Sequence, residues 1–457
     1  MRRALALLAG CLVLAPAARA DIGAPGLGDP YFPGAGNGGY DAQHYDLTLS
    51  YSTRTHRLAG VARIQVRALV GLTRFNLDLK GLRVRGVAID GAPASFHRRR
   101  AELQITPATP LAAGQTFTVS VRYRGVPRTV VDSPIVGGEP YGFLHTPDGE
   151  FVAAEPDAAS TWFPSNDHPS DKATFTFRIT VPKGRSVVAN GRLQSRTGNT
   201  FVWVEDSPMA TYLATIDTGR WRYKRGKTPG GVPNEVAIEP KFARHHTLRH
   251  YFNVIGRIVD YESTVFGPYP FSSTGAIFDD ARYHGERLGF SLETQTKPIY
   301  SGPIDDLTIA HELAHQWFGD SVSVARWDDI WLNEGFATFA MYLWLAHTHQ
   351  QSAHKSFVLD YSTPRRSPFW KVVIGDPQPR KMFDYAVYSR GAMTLQALRE
   401  KIGDAKFFAL LKAWTTTYRY GNATTQQFIA LAEQTSGQAL DAFFKTWVYS
   451  AGKPKTW

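Results

Sequence analysis

The hydrophobic periodicity of the chain changes once, near residue 220, and this change constrains the fold more than any other feature of the sequence. Before it, apolar and polar residues alternate with a period of two in short runs separated by Gly, Pro and Asp, for example 45–51, 117–123 and 175–181. Strands that bury one face show this alternation, and a succession of them is typical of packed antiparallel sheets. The first half therefore predicts an antiparallel β-sandwich.

Beyond Trp221 the apolar residues follow helical spacing instead. In 251–262 they recur at intervals of three and four residues, and Gly267-Pro268 is a stop signal for that helix. Further helices are predicted near 305–318, 330–346, 388–402, 405–414 and 425–434. The predicted fold class is therefore multidomain α+β, with an N-terminal antiparallel β-sandwich followed by a mainly helical domain.

The N-terminus has the features of a secretory signal peptide. Met1-Arg2-Arg3 precedes an apolar run over 4–15, and Ala18-Arg19-Ala20 is a small-x-small cleavage site. With 457 residues, the chain is also longer than one compact core usually holds. We therefore expect a secreted protein with a signal peptide (1–20), an N-terminal β-sandwich domain (21–224) and a C-terminal domain (225–457).

Cys11, the only cysteine, lies within this leader, so cleavage after Ala20 leaves no thiol for disulfides or catalysis. An alternative stays open, because Leu8-Ala9-Gly10-Cys11 resembles a bacterial lipobox, and lipidation would anchor the protein at the cell surface. The formal charge of +11 comes with no nucleic-acid-binding motif, and no later apolar run is long enough to span a bilayer. We expect neither a nucleic-acid partner nor stable membrane insertion.

The strongest chemical signal is the pentapeptide His311-Glu312-Leu313-Ala314-His315. On a helix, positions i and i+4 lie on one face, so His311 and His315 can bind one metal ion. Glu312 lies on the adjacent flank, where a carboxylate can act as a general base towards water. A match of this length also occurs by chance, so a further ligand decides its meaning.

Glu334 is the candidate for the third ligand. It follows His315 after eighteen residues, and its apolar neighbours within 330–336 predict that it is buried, which requires a partner for its charge. Catalytic zinc takes three protein ligands and keeps one position open, whereas structural zinc usually takes four, often cysteines. The set His311, His315 and Glu334 therefore predicts one catalytic Zn²⁺ per chain.

The segment 311–339 resembles the zinc core of the aminopeptidase N family, the gluzincin aminopeptidases. Members carry His-Glu-x-x-His, then eighteen residues, then Glu within an Asn-Glu-Gly-Phe-Ala run, which stands here at 333–337. The segments 266–271 and 446–454 are also similar to the family, and 36–46 resembles the start of its short secreted bacterial members. The resemblance covers most of the chain and implies that 225–457 is a thermolysin-like catalytic domain.

The resemblance implies a zinc-dependent aminopeptidase, in which metal-activated water attacks the N-terminal peptide bond of peptides with a free N-terminus. Glu293 matches the glutamate of a Gly-x-Met-Glu-Asn motif that binds the substrate's α-amine, although Leu292 and Thr294 replace Met and Asn. Glu155 resembles a second amine-binding glutamate, contributed by the N-terminal domain. Tyr388, before Ser-Arg-Gly, matches the tyrosine that stabilises the oxyanion.

Two further positions bear on these expectations. Tyr385 is a second, weaker candidate for the role of Tyr388. Met341 stands seven residues after the ligand glutamate, where many relatives carry a glutamate that supports the metal ligands. Because loss of such support can weaken metal binding by ~10–100-fold, another carboxylate is expected to replace it, and Asp329 and Asp320 are the candidates.

Other functions stay open at this point. A thermolysin-like endopeptidase would use the same zinc core without the amine anchor of Glu293, and an epoxide hydrolase, known in one branch of the family, would share the core as well. A catalytically silent peptide-binding protein of the same fold would normally lose a ligand or the general base, and all four core residues are present. We expect the aminopeptidase, acting on peptides as a monomer.

Overall fold

The computed structural model describes residues 21–131, 133–146, 148–244 and 248–455. The predicted signal peptide (1–20), with Cys11 inside it, lies outside the described residues. Within the part of the chain that the structure describes, no helix combines the length and the apolar character needed to cross a membrane.

The first half of the chain is β-rich. Its strands are β1 (Asp21–Ile22), β2 (Tyr40–Ser52), β3 (Arg57–Ala68), β4 (Leu72–Asp78), β5 (Arg83–Ile89), β6 (Ala92–Pro93), β7 (Ser95–Arg99), β8 (Glu102–Thr106), β9 (Thr116–Gly125), β10 (Thr129–Val130), β11 (Tyr141–His145), β12 (Glu150–Ala153), β13 (Lys172–Thr180), β14 (Ser186–Ala189), β15 (Arg192–Thr197), β16 (Thr200–Ala210) and β17 (Ile216–Gly219). They form sheets with the orders β1-β4-β8-β7, β10-β11-β12-β17-β14 and β15-β16-β13-β2-β3-β9-β5-β6.

Most neighbouring strands of these sheets are antiparallel, as the alternation predicts. The exceptions are β1 with β4 and β2 with β13, which pair in parallel. A parallel pair needs a long crossover, and the crossover from β2 to β13 contains all the strands between them. The alternation of apolar and polar residues indicates which face of a strand is buried. It does not indicate whether the neighbouring strand is parallel or antiparallel, so the sequence could not reveal the parallel pairs.

The second half is mainly helical. Its helices are α1 (Leu248–Phe266), α2 (Asp306–Ala314), α3 (Trp331–His347), α4 (Ala353–Tyr361), α5 (Tyr385–Ile402), α6 (Asp404–Thr417), α7 (Thr425–Ser436) and α8 (Asp441–Trp447). Its strands are β18 (Arg222–Lys227), β19 (Pro233–Ile238), β20 (Thr274–Phe278), β21 (Arg282–Tyr283), β22 (Glu286–Arg287), β23 (Ser291–Leu292), β24 (Ile299–Tyr300), β25 (Ser323–Val324) and β26 (Asn422–Ala423). A β-rich domain followed by a helical one confirms the predicted fold class.

One sheet of the second half has the order β18-β19-β20-β24-β23. Its first strand, β18, lies across the predicted domain boundary between residues 224 and 225, and it pairs with β19 along its whole length. The exact boundary stays a prediction.

Helix α2 is shorter than the predicted helix over 305–318. It ends at Ala314, and the next residues form a 3-10 turn, because the N–H groups of Gln316 and Trp317 donate to carbonyls three residues earlier in the chain. Gly319 follows with a φ of +134°, a conformation that side chains other than glycine rarely adopt. The chain therefore turns directly behind the second histidine of the metal motif.

Helices α3 and α5 approach each other closely beside the site. Gly335 lies against Gly391, so that a Cβ built on Gly391 would stand 2.6 Å from the Cα of Gly335. Only two glycines allow backbones to approach so closely. Glu334 precedes one glycine and Tyr388 lies one turn before the other, so this contact sets the distance between two predicted site residues.

The segment before β2 joins the two halves of the chain. The buried carboxylate of Asp29 accepts hydrogen bonds from the N–H groups of Phe32 and Trp327, and it lies 3.3 Å from His168 Nε2. Trp327 belongs to the turn that leads into α3, whereas His168 belongs to the β-rich half. A buried carboxylate that is hydrogen-bonded to both halves fixes their relative position.

Candidate metal and catalytic site

The two histidines of the metal motif lie at the C-terminal end of α2, whose start is capped. Asp305 accepts hydrogen bonds from the N–H groups of Leu307 and Thr308, both at 2.9 Å. Such a cap satisfies free N–H groups of the first turn and fixes where the helix begins. His311 and His315 then lie one turn apart on the same side, with their ring centroids separated by 4.8 Å.

Glu334, in the first turn of α3, completes a cluster of three donor atoms. Its Oε2 lies 3.2 Å from His311 Nε2 and 3.4 Å from His315 Nε2, and the two nitrogens are 3.1 Å apart. Ligands bound ~2.0–2.1 Å from a tetrahedral zinc ion lie roughly 3.3 Å from one another. The spacing and the donor types of the cluster therefore fit the predicted Zn²⁺.

The electrostatics of the cluster also favour a cation. Burial lowers the pKa of the His315 imidazole, but Glu293 and Glu334 outweigh burial and raise this pKa well above its usual range. Burial raises the pKa of the Glu334 carboxyl, but His315 and His311 outweigh it and lower the pKa to about 2. Buried carboxylates that stabilise a positive charge at this point would also stabilise a bound dication.

Each histidine is oriented by its other ring nitrogen. His315 Nδ1 lies 3.0 Å from the carbonyl oxygen of Phe318, and His311 Nδ1 lies 3.4 Å from the hydroxyl of Thr338. The expected carboxylate replacements do not take this role. Asp329 accepts from the N–H and the hydroxyl of Thr425, and Asp320 has no hydrogen-bond partner for either carboxylate oxygen among the described residues.

We expect Thr338→Val to weaken Zn²⁺ binding by about tenfold, because the similarly sized valine leaves His311 Nδ1 without its partner. Thr338→Ser keeps the hydroxyl and should bind Zn²⁺ within about twofold of the unchanged protein. Competition with a chromophoric chelator measures both affinities independently of activity. Equal zinc affinities of the two variants would contradict a supporting role for this hydroxyl.

Glu312 lies beside the donor cluster. Its carboxylate, that of Glu293 and a ring nitrogen of His315 all lie within 4.8 Å of one another. Burial raises the pKa of the Glu312 carboxyl well above its usual range, against the opposing effect of His315 and with a further increase from Glu293. A carboxylate with a raised pKa is suited to take up a proton and return it near neutral pH.

Glu293 follows β23 directly, and the turn after α2 holds it in place. The Gln316 side chain donates to the carbonyl oxygen of Glu293 at 3.1 Å and accepts from the N–H of Thr296 at 2.7 Å. Glu293 is 2% exposed, and its Oε1 has no hydrogen-bond partner among the described residues. A buried carboxylate oxygen without a partner is costly unless a ligand supplies one.

Glu155 enters the site from the β-rich half, two residues after β12. Its Oε1 is also buried without a hydrogen-bond partner within the described chain. Burial raises the pKa of the Glu155 carboxyl well above its usual range, and the charge of Glu293 raises it further. The negative charge of Glu293 thus acts on Glu155, and two buried carboxyls that interact in this way favour a cationic ligand.

Tyr388, in the first turn of α5, lies over the metal motif. Its ring stacks on that of His311, with centroids 5.9 Å apart and an angle of 19° between the planes. Tyr388 borders both cavities that meet at the site. Tyr385 is 66% exposed and borders only the cavity that contains His311.

The cavities lie on either side of Tyr388. The first, of about 170 Å³, is lined mainly by apolar side chains from both halves of the chain, and it contains Glu155. The second, of about 390 Å³, includes His311, Thr338 and Met341. Met341, which stands where many relatives carry a glutamate, therefore lines the wall of this cavity.

The structure brings all the predicted site residues together, and their individual roles remain predictions. Sequence reasoning missed Gln316, Thr338 and Phe318, which orient the predicted residues. Gln316 follows the second histidine directly, so its position was a signal that could have been used. The carbonyl oxygen of Phe318 carries no sequence signal, because every residue has one.

Two models of one protein family match the chain. Residues 41–213 match the model described as the peptidase M1 N-terminal domain, and residues 304–447 match the model described as the peptidase family M1 domain. The second match contains His311, Glu312, His315, Glu334 and Tyr388. Together the two matches cover most of the chain.

Among curated relatives, aminopeptidase A of Gloydius brevicauda is 25% identical over 453 residues, which is 90% of this chain and 46% of that protein. Glutamyl aminopeptidase of Mus musculus is 26% identical over 458 residues, again 90% of this chain and 47% of that protein. The chain thus spans a little under half the length of these relatives.

Solved structures match over nearly the full length. The M1 zinc metallopeptidase of Deinococcus radiodurans has a TM-score of 0.84 at 28% identity, covering 94% of this chain and 97% of that one. A variant of that protein, bound to a Tyr-Ser-Ala substrate, has a TM-score of 0.85. Yeast LTA4 hydrolase, at 22% identity and a TM-score of 0.75, shares the fold over 91% of this chain and 69% of its own length.

Proposed function

Because the chain belongs to the peptidase M1 family, we propose that it is a zinc-dependent aminopeptidase that hydrolyses the N-terminal peptide bond of peptides. The observation that carries this proposal is the pair of buried carboxylate oxygens, Glu293 Oε1 and Glu155 Oε1, that lack partners beside the metal donors. The α-ammonium of a free N-terminus carries three N–H donors and a positive charge, and it would satisfy both oxygens.

The position of these carboxylates supports cleavage after the first residue. A carboxylate oxygen of Glu293 lies within 4.8 Å of the Glu312 carboxylate and of a ring nitrogen of His315. An ammonium group bound to Glu293 would therefore lie close to the metal donors. The first peptide bond of the substrate would therefore reach Glu312, whereas later bonds would lie beyond it. In an endopeptidase, the uncharged backbone of the substrate would lie beside these buried carboxylates and would leave them without a cationic partner. The carboxylates therefore favour a substrate with a free N-terminus.

His311, His315 and Glu334 would hold the metal. When bound, Zn²⁺ supplies Lewis-acid activation of water and of the scissile carbonyl. Glu312 takes a proton from the attacking water at its carboxylate and returns it to the leaving amine. The Tyr388 hydroxyl donates a hydrogen bond to the oxyanion, and burial raises its pKa well above the usual range, so the phenol stays protonated.

The first cavity would receive the side chain of the first substrate residue. Val136, Tyr141, Phe290, Leu292 and Phe383 make its wall apolar. Burial of a large apolar side chain against this wall is favourable by ~1.5–3 kcal/mol. Glu139 stands at its exposed end, where a carboxylate can pair with the end of a long basic side chain. We therefore expect large apolar and long basic first residues to be preferred over acidic ones.

The proposal is tested with aminoacyl-aminomethylcoumarins that carry a free or an acetylated α-amine, assayed with and without a chelator. Chelator-sensitive cleavage of the free-amine set alone is the expected result. Cleavage of acetylated substrates at comparable rates would indicate an endopeptidase instead. Zinc binding without cleavage of either set would indicate a catalytically silent peptide-binding protein.

Replacing Glu293 by Gln is expected to lower kcat/KM for free-amine substrates by about 10–100-fold, because one charge-assisted contact to the ammonium is lost. The zinc content should not change, since Glu293 is not one of the three donors of the cluster. Steady-state kinetics and metal analysis of the same preparation check both statements. An unchanged kcat/KM would rule out Glu293 as an amine anchor.

We also propose that the protein is secreted after cleavage behind Ala20. The support is the leader alone, with its basic start, apolar run and small-x-small site. Mass spectrometry of the exported protein should find Asp21 as the first residue. A lipid on Cys11 in the membrane fraction would establish the surface-anchored alternative.

A further inference from the structure

The solvent side of the largest sheet is lined with arginine. Strands β13, β2, β3, β9 and β5 are neighbours in that sheet, and their buried residues alternate with exposed ones. Eight arginines on these strands are exposed, and we call this surface the arginine face: Arg57, Arg63, Arg67, Arg83, Arg85, Arg122, Arg124 and Arg178. The residues between them on the same side are mostly small and polar, chiefly Thr, Ser and Gln.

The charge of the arginine face is largely unbalanced. Its strands contribute two aspartates on the same side, Asp41 opposite Arg67 and Asp46 opposite Arg63. Within the described chain, only Arg178 of the eight forms an ion pair, with Asp46 at 3.5 Å. With eight arginines and two aspartates, the face carries a formal charge of +6 (8 − 2).

The arginines at the β5–β9 end crowd one another. Arg83 lies directly opposite Arg124 in the strand register, and Arg122 lies opposite Gly86, with its guanidinium 3.0 Å from the place of a missing Cβ. Residual desolvation and the charges of Arg124 and Arg83 lower the pKa of Arg85. Like charges directly opposite in a sheet are destabilising. The repulsion among these arginines therefore lowers the stability of the sheet, and an anionic partner would relieve it.

We propose that the arginine face docks the protein on a membrane surface rich in anionic phospholipids. The five strands lie about 4.8 Å apart and are about ten residues long, so the face measures roughly 20 by 30 Å. An area of this size is broad enough to contact several headgroups. Guanidinium groups bind phosphate oxygens through two parallel hydrogen bonds. The contact is peripheral, because the face carries no large apolar side chain to insert.

Nucleic acid is the competing polyanion, and the arginine face fits it less well. Single strands bind through aromatic side chains on which bases stack, and none of the exposed residues on this face is aromatic. Duplexes are read by an element that enters a groove, whereas this surface is the side of a sheet. A broad, positively charged face without aromatic rings for stacking fits the phosphate headgroups of a membrane surface better.

The test is sedimentation of the full chain with vesicles of phosphatidylglycerol and phosphatidylcholine, or of phosphatidylcholine alone. Binding to the anionic vesicles at low salt and its loss at high salt are expected. The triple variant R83Q/R122Q/R124Q should bind at least tenfold more weakly. Its melting temperature should be equal or higher, because repulsion is relieved.

The matched control is R257Q/K401Q/K412Q, which removes the same charge from exposed helical positions of the other half. It should lose no more than about twofold in vesicle affinity. Equal losses in both triple variants would overturn the proposal in favour of a diffuse effect of net charge. Tighter binding to duplex DNA than to anionic vesicles at equal phosphate concentration would also overturn it.

Discussion

Replacing Glu312 by Gln is expected to lower kcat by roughly 10²- to 10⁴-fold while the zinc content stays near one per chain. The amide has nearly the same shape as the carboxylate, but it cannot take a proton from water. Glu312 is not one of the three converging donor atoms, so the metal should be retained. Single-turnover kinetics and metal analysis of one preparation measure both quantities.

The contrasting variant is Glu334→Gln, in which a donor of the cluster is changed. It should lose zinc and activity together, because the charge that balances the dication is removed. An active Glu312→Gln variant would refute the general-base role. Loss of zinc from Glu312→Gln would show that its carboxylate belongs to the metal site and would leave the proton acceptor unidentified.

Replacing Gly391 by Ala is expected to lower the free energy of unfolding by about 1–3 kcal/mol and to lower kcat as well. The new Cβ would stand 2.6 Å from the Cα of Gly335, so α5 must move away from α3. Glu334 and Tyr388 sit on those two helices beside the glycines. Separation of the helices therefore changes the distance between a donor of the metal cluster and the proposed oxyanion donor. Urea denaturation and steady-state kinetics measure the two effects.

Gly34→Ala is the matched control for this variant. A Cβ at Gly34 meets no atom within 4 Å, so the same chemical change should alter the free energy of unfolding by less than about 0.5 kcal/mol. Chelator competition adds a third measurement, since displacement of Glu334 should also weaken zinc binding. A Gly391→Ala variant with unchanged stability would show that the α3–α5 contact tolerates a methyl group.

The donor set for zinc follows from local spacing, which is why sequence alone was sufficient to propose it. Residues i and i+4 of a helix share a face whatever the rest of the protein does, and the apolar flanks of Glu334 required a partner for its charge. The division into a β-rich and a helical half is also local, since a period of two or of 3.6 residues describes which side of an element is buried.

The tertiary structure decided how the site is supported. Asp329 accepts a hydrogen bond from Thr425, and the hydroxyl of Thr338 lies beside His311 instead. Which side chain lies beside His311 depends on the orientation of α3 relative to α2. The approach of Glu155 to Glu293 depends on the packing of two domains, and no spacing along the chain encodes it. The same holds for the arginine face, because eight arginines become one surface only when β5, β9, β3, β2 and β13 pair in that order. Contacts between residues far apart in sequence arise from packing, which periodicity does not specify.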